Sequence, residues 1–227
     1  MTTGYPHIDV VIASLHNKLG LKYFEDLKFE KALKCYNDAI NLDSSNIEYY
    51  ENRVNCFIEL WSYDNAISDA TQISTLEELS VKSYELQLKC HLIFGKFLQA
   101  SICYENMLEE CGESEITLSF AETLEQVSTL DDEWKQSIQE EKYNEALTAI
   151  SDLNDIAYRS THHRLIEASV LYKLQDYLQS FKCAKSVLFV EPRNQQALIV
   201  VEKCQIEYAA IYALYQLLNI EFPSEIL

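Results

Sequence analysis

Apolar residues recur along this chain at helical intervals with little to interrupt them. Near the start, Leu19, Tyr23, Phe24 and Leu27 make one stripe, and Phe29, Leu33, Tyr36 and Ile40 make the next. Two stripes in close succession predict a helical hairpin. An aromatic residue then stands three positions before a small one five times: Phe29 before Ala32, Tyr63 before Ala66, Phe97 before Ala100, Tyr143 before Ala146 and Tyr177 before Ser180. The small residues lie 34, 34, 46 and 34 positions apart, which predicts five copies of one unit with an insertion of twelve residues in the middle. In each copy the small residue lets two antiparallel helices approach, and the aromatic fills the gap near the turn. Each hairpin leaves one face that only the next hairpin can bury. The chain has only four Gly and three Pro, none of them between Gly112 and Pro192, so the turn chemistry of a sheet is missing and the fold is expected to be all-α.

Within the insertion, Ile116, Phe120, Leu124, Val127, Leu130, Trp134 and Ile138 form one stripe at steps of three and four. This predicts a continuous helix from about Ser114 to Glu141, on the order of 40 Å long, that makes the two sets of hairpins one rigid superhelix. The alternative is two helices with a kink near Ser128 to Asp132. The expected organisation is three units over 1–113, a long connecting helix over 114–141 that runs into the fourth unit, two further units over 128–193, and a C-terminal capping helix and tail over 194–227. The capping helix, about Gln195 to Ile220, is apolar nearly all round in "YAAIYALYQLLNI" (208–220). A cap normally shows water a polar face, so a cover is expected: the last repeat together with a second copy of the chain, or further repeats that a longer relative carries.

The unit at 17–44, "NKLGLKYFEDLKFEKALKCYNDAINLDS", resembles the tetratricopeptide-repeat family, with Gly20, Tyr23, Ala32, Tyr36 and Ala39 at that family's signature positions. The next, "YYENRVNCFIELWSYDNAISDA" (49–70), looks like the second repeat of co-chaperone modules. The family's closing Pro is present as Pro192, while Ser44, Glu78, Gly112 and Tyr158 replace it elsewhere. The resemblance covers roughly 13 to 193. The order of parts is similar to the N-terminal half of DnaJ-type co-chaperones with several such repeats, although the His-Pro-Asp motif of a J domain is absent.

The resemblance implies a two-carboxylate clamp for the acidic tails of heat-shock chaperones, built from cationic and amide donors on the first helices of units one to three. Asn52 and Lys82 match two clamp positions. Asn17, Leu21 and Leu86 stand where the family has Lys, Asn and Arg, and two leucines donate nothing to a carboxylate. Lys89, on the same helix as Lys82, is a partial substitute or a solvated charge. Phe24, Ile58, Leu92 and Ile93 point to a more apolar groove suited to a helix or extended peptide, or to packing between helices. The expected groove therefore comprises Asn17, Leu21, Phe24, Asn52, Ile58, Lys82 and Lys89.

Eighteen Lys plus Arg against thirty-six Asp plus Glu give a net charge of −18, which argues against nucleic acid and anionic membrane as partners. Ten acids and no Lys or Arg lie between Phe97 and Trp134, a solvated face or a landing surface for a basic segment. The seven cysteines repeat at fixed unit positions, as packing residues do. There is no Cys-x-x-Cys and no His pair at i, i+4. No metal or cofactor is expected, and no phosphate loop, nucleophile elbow or His-Glu-x-x-His suggests an enzyme. The absence of a signal segment near the N-terminus and of a long apolar run predicts a cytoplasmic protein. These features point to a non-enzymatic protein-interaction scaffold, co-chaperone-like, that takes a peptide in its groove. The alternative is an adaptor that self-associates through its C-terminal helix and offers its acidic surface to a basic partner.

Overall fold

A computed structural model describes residues 6–77 and 81–217. The described residues form eleven helices: α1 (Pro6–Glu25), α2 (Phe29–Leu42), α3 (Ile47–Glu59), α4 (Tyr63–Leu76), α5 (Val81–Ile93), α6 (Phe97–Cys111), α7 (Glu115–Gln139), α8 (Tyr143–Ile156), α9 (Thr161–Lys173), α10 (Tyr177–Val190) and α11 (Gln195–Leu217). The architecture is an all-α solenoid of helical hairpins. It divides into two compact units, Met1–Leu124 and Glu125–Leu227.

The repeated sequence signature has a direct structural counterpart. The aromatics Phe29, Tyr63, Phe97, Tyr143 and Tyr177 are each the first residue of an even-numbered helix. Three residues on, Ala32, Ala66, Ala100, Ala146 and Ser180 are completely buried, where a larger side chain would hold the paired helices apart. Ser180 also donates from Oγ to the carbonyl of Ala168 at 2.6 Å, tying α10 to α9. The corner before each aromatic is built the same way five times. Leu27, Trp61, Gly95, Glu141 and Gln175 all take left-handed φ between 58° and 67°. The following amide donates to the carbonyl five residues back: Lys28 to Tyr23, Ser62 to Phe57, Lys96 to His91, Lys142 to Ser137 and Asp176 to Leu171. This is a Schellman closure, and only one of the five corners uses the glycine that normally holds it.

In the first unit α1, α3 and α5 are neighbours in one layer, and each packs on its even-numbered partner. Ala13, Ala39, Tyr49, Val54, Ala70, Ile73 and Leu86 belong to a core running through α1 to α5. In the second unit, Trp134 and Ile138 of α7 pack with Ala146, Ile150 and Val170, and Ala168, Ala184 and Val201 join α9, α10 and α11. α7 is a single helix through Ser128–Asp132. It opens on a reciprocal cap in which the Ser114 amide donates to Thr117 Oγ1 at 2.7 Å and the Thr117 amide to Ser114 Oγ at 3.2 Å.

Two expectations change at this level. Leu27 is not part of the first apolar stripe: it occupies the corner, is 74% exposed, and Leu19 is 42% exposed on the side of α1 away from the core. α1 itself runs from Pro6, N-terminal to the stretch that resembles the repeat.

Gly20 is required by close approach. A Cβ there would lie 2.5 Å from Cε1 of Tyr36, whose ring is 1% exposed and has nowhere to go. Helix propensity alone favours Ala over Gly by about 1 kcal/mol, whereas overpacking a tight core costs about 1–3 kcal/mol. Gly20→Ala is therefore expected to lower the midpoint of thermal unfolding by a few degrees. A rise, followed by circular dichroism, would show that the α1–α2 contact yields easily.

Candidate peptide-binding face

The layer of α1, α3 and α5 carries the residues expected to bind a peptide. Period 34 aligns positions of these helices in rows: Ser14, Glu48 and Lys82; Asn17, Glu51 and Glu85; Leu21, Asn55 and Lys89. Neighbouring helices are bridged between the first two rows. Asn17 Nδ2 donates to Glu48 Oε1 at 2.9 Å, and Asn52 Nδ2 donates to Asn17 Oδ1 at 3.0 Å. One period further on, Lys82 Nζ lies 3.8 Å from Glu51 and 3.7 Å from Glu85. Lys89 Nζ donates to Glu85 at 2.7 Å, one helical turn away. The same bridge thus occurs twice with its polarity reversed, amide to carboxylate and then carboxylate to ammonium. Burial pushes the Glu85 carboxyl up, but the hydrogen bond and charge of Lys89, together with Lys82, outweigh it and hold Glu85 below the usual carboxylate range.

This geometry brings Asn17, Asn52, Lys82 and Lys89 onto one face, with each polar group engaged by the chain's own side chains. Asn17 is 4% exposed, so little of it is left to a ligand. The apolar candidates divide. Ile58, Leu92 and Leu86 are 6%, 5% and 6% exposed, and Ile58 and Leu86 belong to the main core. These three pack between helices and contribute little lining. Phe24 is half-buried and meets Phe29 edge-on at 5.2 Å. Leu21 remains the accessible apolar residue of the set, at 37% exposure. Glu48, Glu51, Glu85 and Asn55 were not singled out from the sequence, although stepping 34 residues from Asn17 and from Leu21 lands on Glu51, Glu85 and Asn55.

Other candidate chemistry is quiet. Cys56 and Cys90 are fully buried, and burial pushes both thiols up to about 12, away from the thiolate a nucleophile needs. Among the described residues no three His, Cys, Asp or Glu side chains converge as a metal site. No described helix is long and apolar enough to cross a membrane. A cavity of about 290 Å³ at the α7–α8 corner is lined by Glu133, Gln136, Ser137, Glu140, Lys142 and Glu145, and its lysine is already paired with Glu140 at 2.7 Å. Nine of the ten acids between Phe97 and Trp134 are exposed, Asp131 being half-buried.

No protein-family model matches the chain. It is 33% identical over 87 residues to serine/threonine-protein phosphatase 5 from Homo sapiens, a match covering 38% of this chain and 17% of that protein. It is 21% identical over 192 residues to DnaJ homolog subfamily C member 7 from Homo sapiens, covering 85% of this chain and 39% of the relative. Among solved structures, the TPR domain of P58(IPK) superposes with a TM-score of 0.63 at 17% identity, covering 87% of this chain and 56% of the other. The chain thus spans well under half the length of these two curated relatives, and the structural likeness establishes the tetratricopeptide-repeat fold.

Proposed function

We propose that this tetratricopeptide-repeat solenoid is a non-catalytic, co-chaperone-like docking scaffold that holds an extended polypeptide segment against the α1–α3–α5 face. The observation that carries the proposal is the layer itself. Three neighbouring helices align side chains in rows at a fixed period, and Leu21, Asn55, Lys82 and Lys89 are exposed on them. The match along 85% of the chain to a protein named as a DnaJ homolog supports the chaperone setting. The phosphatase match, confined to 17% of that protein, supports a role for the repeats separate from chemistry.

The bridges decide which ligand suits this face. A carboxylate-ended tail needs free donors to replace its water, but Asn17 and Lys82 already face Glu48, Glu51 and Glu85, and Leu21 and Leu86 donate nothing. The segment held here is one whose own donors and apolar side chains meet Asn55, Leu21 and the carboxylates.

A photo-crosslinking residue at Leu21 or Asn55 tests the reading against one at Leu98, which is 70% exposed on α6. The proposal expects one partner segment crosslinked from both positions on the layer and not from Leu98. It also expects Leu21→Asp to weaken binding of that segment about tenfold, or ~1.4 kcal/mol. Equal crosslinking from all three positions would remove the docking face. A peptide ending in two acids that bound tightly and lost tenfold or more on Lys82→Ala would reinstate the carboxylate clamp.

A further inference from the structure

α11 has one packed flank and one open flank. Ala197, Val201 and Cys204 are buried toward α9 and α10, where Cys204 Sγ lies 3.3 Å from Ser180 Oγ and Tyr172 donates to Glu207 at 3.1 Å. In the five hairpins, the residue twelve before the small position turns toward the partner helix: Gly20, Val54, Leu88 and Ala168 are buried there and Trp134 is half-buried. The next residue in that series, 34 beyond Ala168, is Glu202, and it is exposed. A charged side chain at the point of closest helix approach suits α11 poorly to a second helix of the repeating kind.

The open flank has a different period. Ile199, Lys203, Ile206, Ala210, Ala213 and Leu217 follow one another at steps of four, three, four, three and four, and all are exposed, Ile206 at 61% and Leu217 at 83%. That is the four-and-three spacing that the seam of a two-stranded coiled coil uses. No charged residue occurs from Tyr208 to Leu217.

We propose that two copies of the chain associate through this seam, α11 against α11, antiparallel. Each copy carries a net charge of −18, so close approach is favoured on an uncharged surface. The seam is also self-complementary about a two-fold axis at Tyr208, as an isologous contact requires. Antiparallel pairing sets Ile206 opposite Ala210 of the second copy, Lys203 opposite Ala213 and Ile199 opposite Leu217, so that a long side chain meets a small one in the inner layers. Parallel pairing would oppose Lys203 to Lys203 and leave gaps at two successive alanine layers. Lys203 can keep its stem on the seam, because its Nζ is drawn aside to 6.0 Å from the Tyr172 ring of its own chain.

Sedimentation equilibrium of the full chain from 5 to 200 μM at physiological salt tests this, with helix content followed by circular dichroism. The native chain is expected to dimerise in the micromolar range. Ala210→Glu, which sets a carboxylate against Ile206 of the second copy, is expected to weaken the dimer at least 100-fold. Ala213→Glu faces Lys203 in the antiparallel register and is expected to leave the dimer within about threefold of native, which also shows that a carboxylate on this helix permits folding. A monomer throughout the range, as when a different protein covers the flank, would overturn the proposal. So would loss of the dimer in both variants, which parallel pairing produces, or in neither, which places the contact elsewhere.

Discussion

Arg53→Met is expected to destabilise the first unit by about 3–5 kcal/mol, more than any other single change considered, because it strips a buried carboxylate of its counter-charge. The Arg53 guanidinium forms a two-pronged pair with Asp69, Nε to Oδ2 at 2.6 Å and Nη2 to Oδ1 at 2.7 Å, and its third nitrogen donates to Asn37 Oδ1 at 2.7 Å. It therefore joins α2, α3 and α4. The group lies 5.6 Å from the centre of the Tyr50 ring and 5.8 Å from that of Phe57, and the two side chains of the pair are 18% and 9% exposed. Such fork-to-carboxylate geometry cannot be reproduced by lysine. Urea unfolding followed by the fluorescence of Trp61 measures the loss. Replacing both partners, Arg53→Met with Asp69→Leu, is expected to recover most of it, since no bare charge then remains inside. A single-variant loss below 1 kcal/mol would mean that water reaches Asp69 and substitutes for the arginine.

The second large effect is a loss of stability between pH 6.5 and 4. His91 and His163 are 8% and 2% exposed, and burial lowers each ring to about 4. His163 has in addition the His162 ring 5.3 Å away, and the Asp131 carboxylate opposes the shift only in part. The folded state keeps both rings neutral while the unfolded chain takes up protons near pH 6.5, so stability falls as pH drops through this window and levels off, for these groups, below the folded value. The expected loss is about 2 kcal/mol per histidine by pH 5 and about 3 kcal/mol by pH 4. For His91 the physical event is local. Nδ1 is 2.9 Å from the Tyr63 hydroxyl; the neutral ring has one donor and one acceptor nitrogen, and protonation turns the acceptor into a second donor. The chain's two tryptophans, Trp61 and Trp134, lie one in each compact unit, so variants keeping a single tryptophan report each unit separately. His91→Phe is expected to flatten the pH dependence seen from Trp61, and His163→Leu that seen from Trp134. Unchanged slopes in both would place the acid sensitivity in the carboxylates.

The hairpins were legible because packing writes itself at a fixed period. The five aromatic and small pairs mark the starts of five helices, and the stripe from Ile116 to Ile138 marks one long helix. What was illegible has physical reasons. Leu27, Trp61, Glu141 and Gln175 occupy left-handed corners that sequence reading assigns to glycine, so the turns carried no local signal. Leu27 consequently read as core. Ile58 and Leu92 read as groove because each stands three residues after an exposed position, Asn55 and Lys89, and the roughly 60° by which three residues fall short of a full helical turn is enough to bring them to the interior. Arg53 was hidden for another reason. A lone arginine in a strongly acidic chain reads as surface, and only the convergence of α2 and α4 makes it an interior pair. Pro223 and the rest of the tail lie outside the described residues, as does Glu78.

The twice-repeated bridge across α1, α3 and α5 bears on how such an array can lengthen. Copying one period is the simplest way to extend a chain of this kind, and it keeps every greasy position in phase. Duplicating 47–80, however, would set Glu51 of one copy against Glu48 of the next, two carboxylates at a spacing where this protein places an acid beside an amide or an amine. The hairpins are thus not interchangeable beads. Each is spelled for the neighbour it has, and the order of the first three is written in side-chain charge as firmly as their number is written in the period.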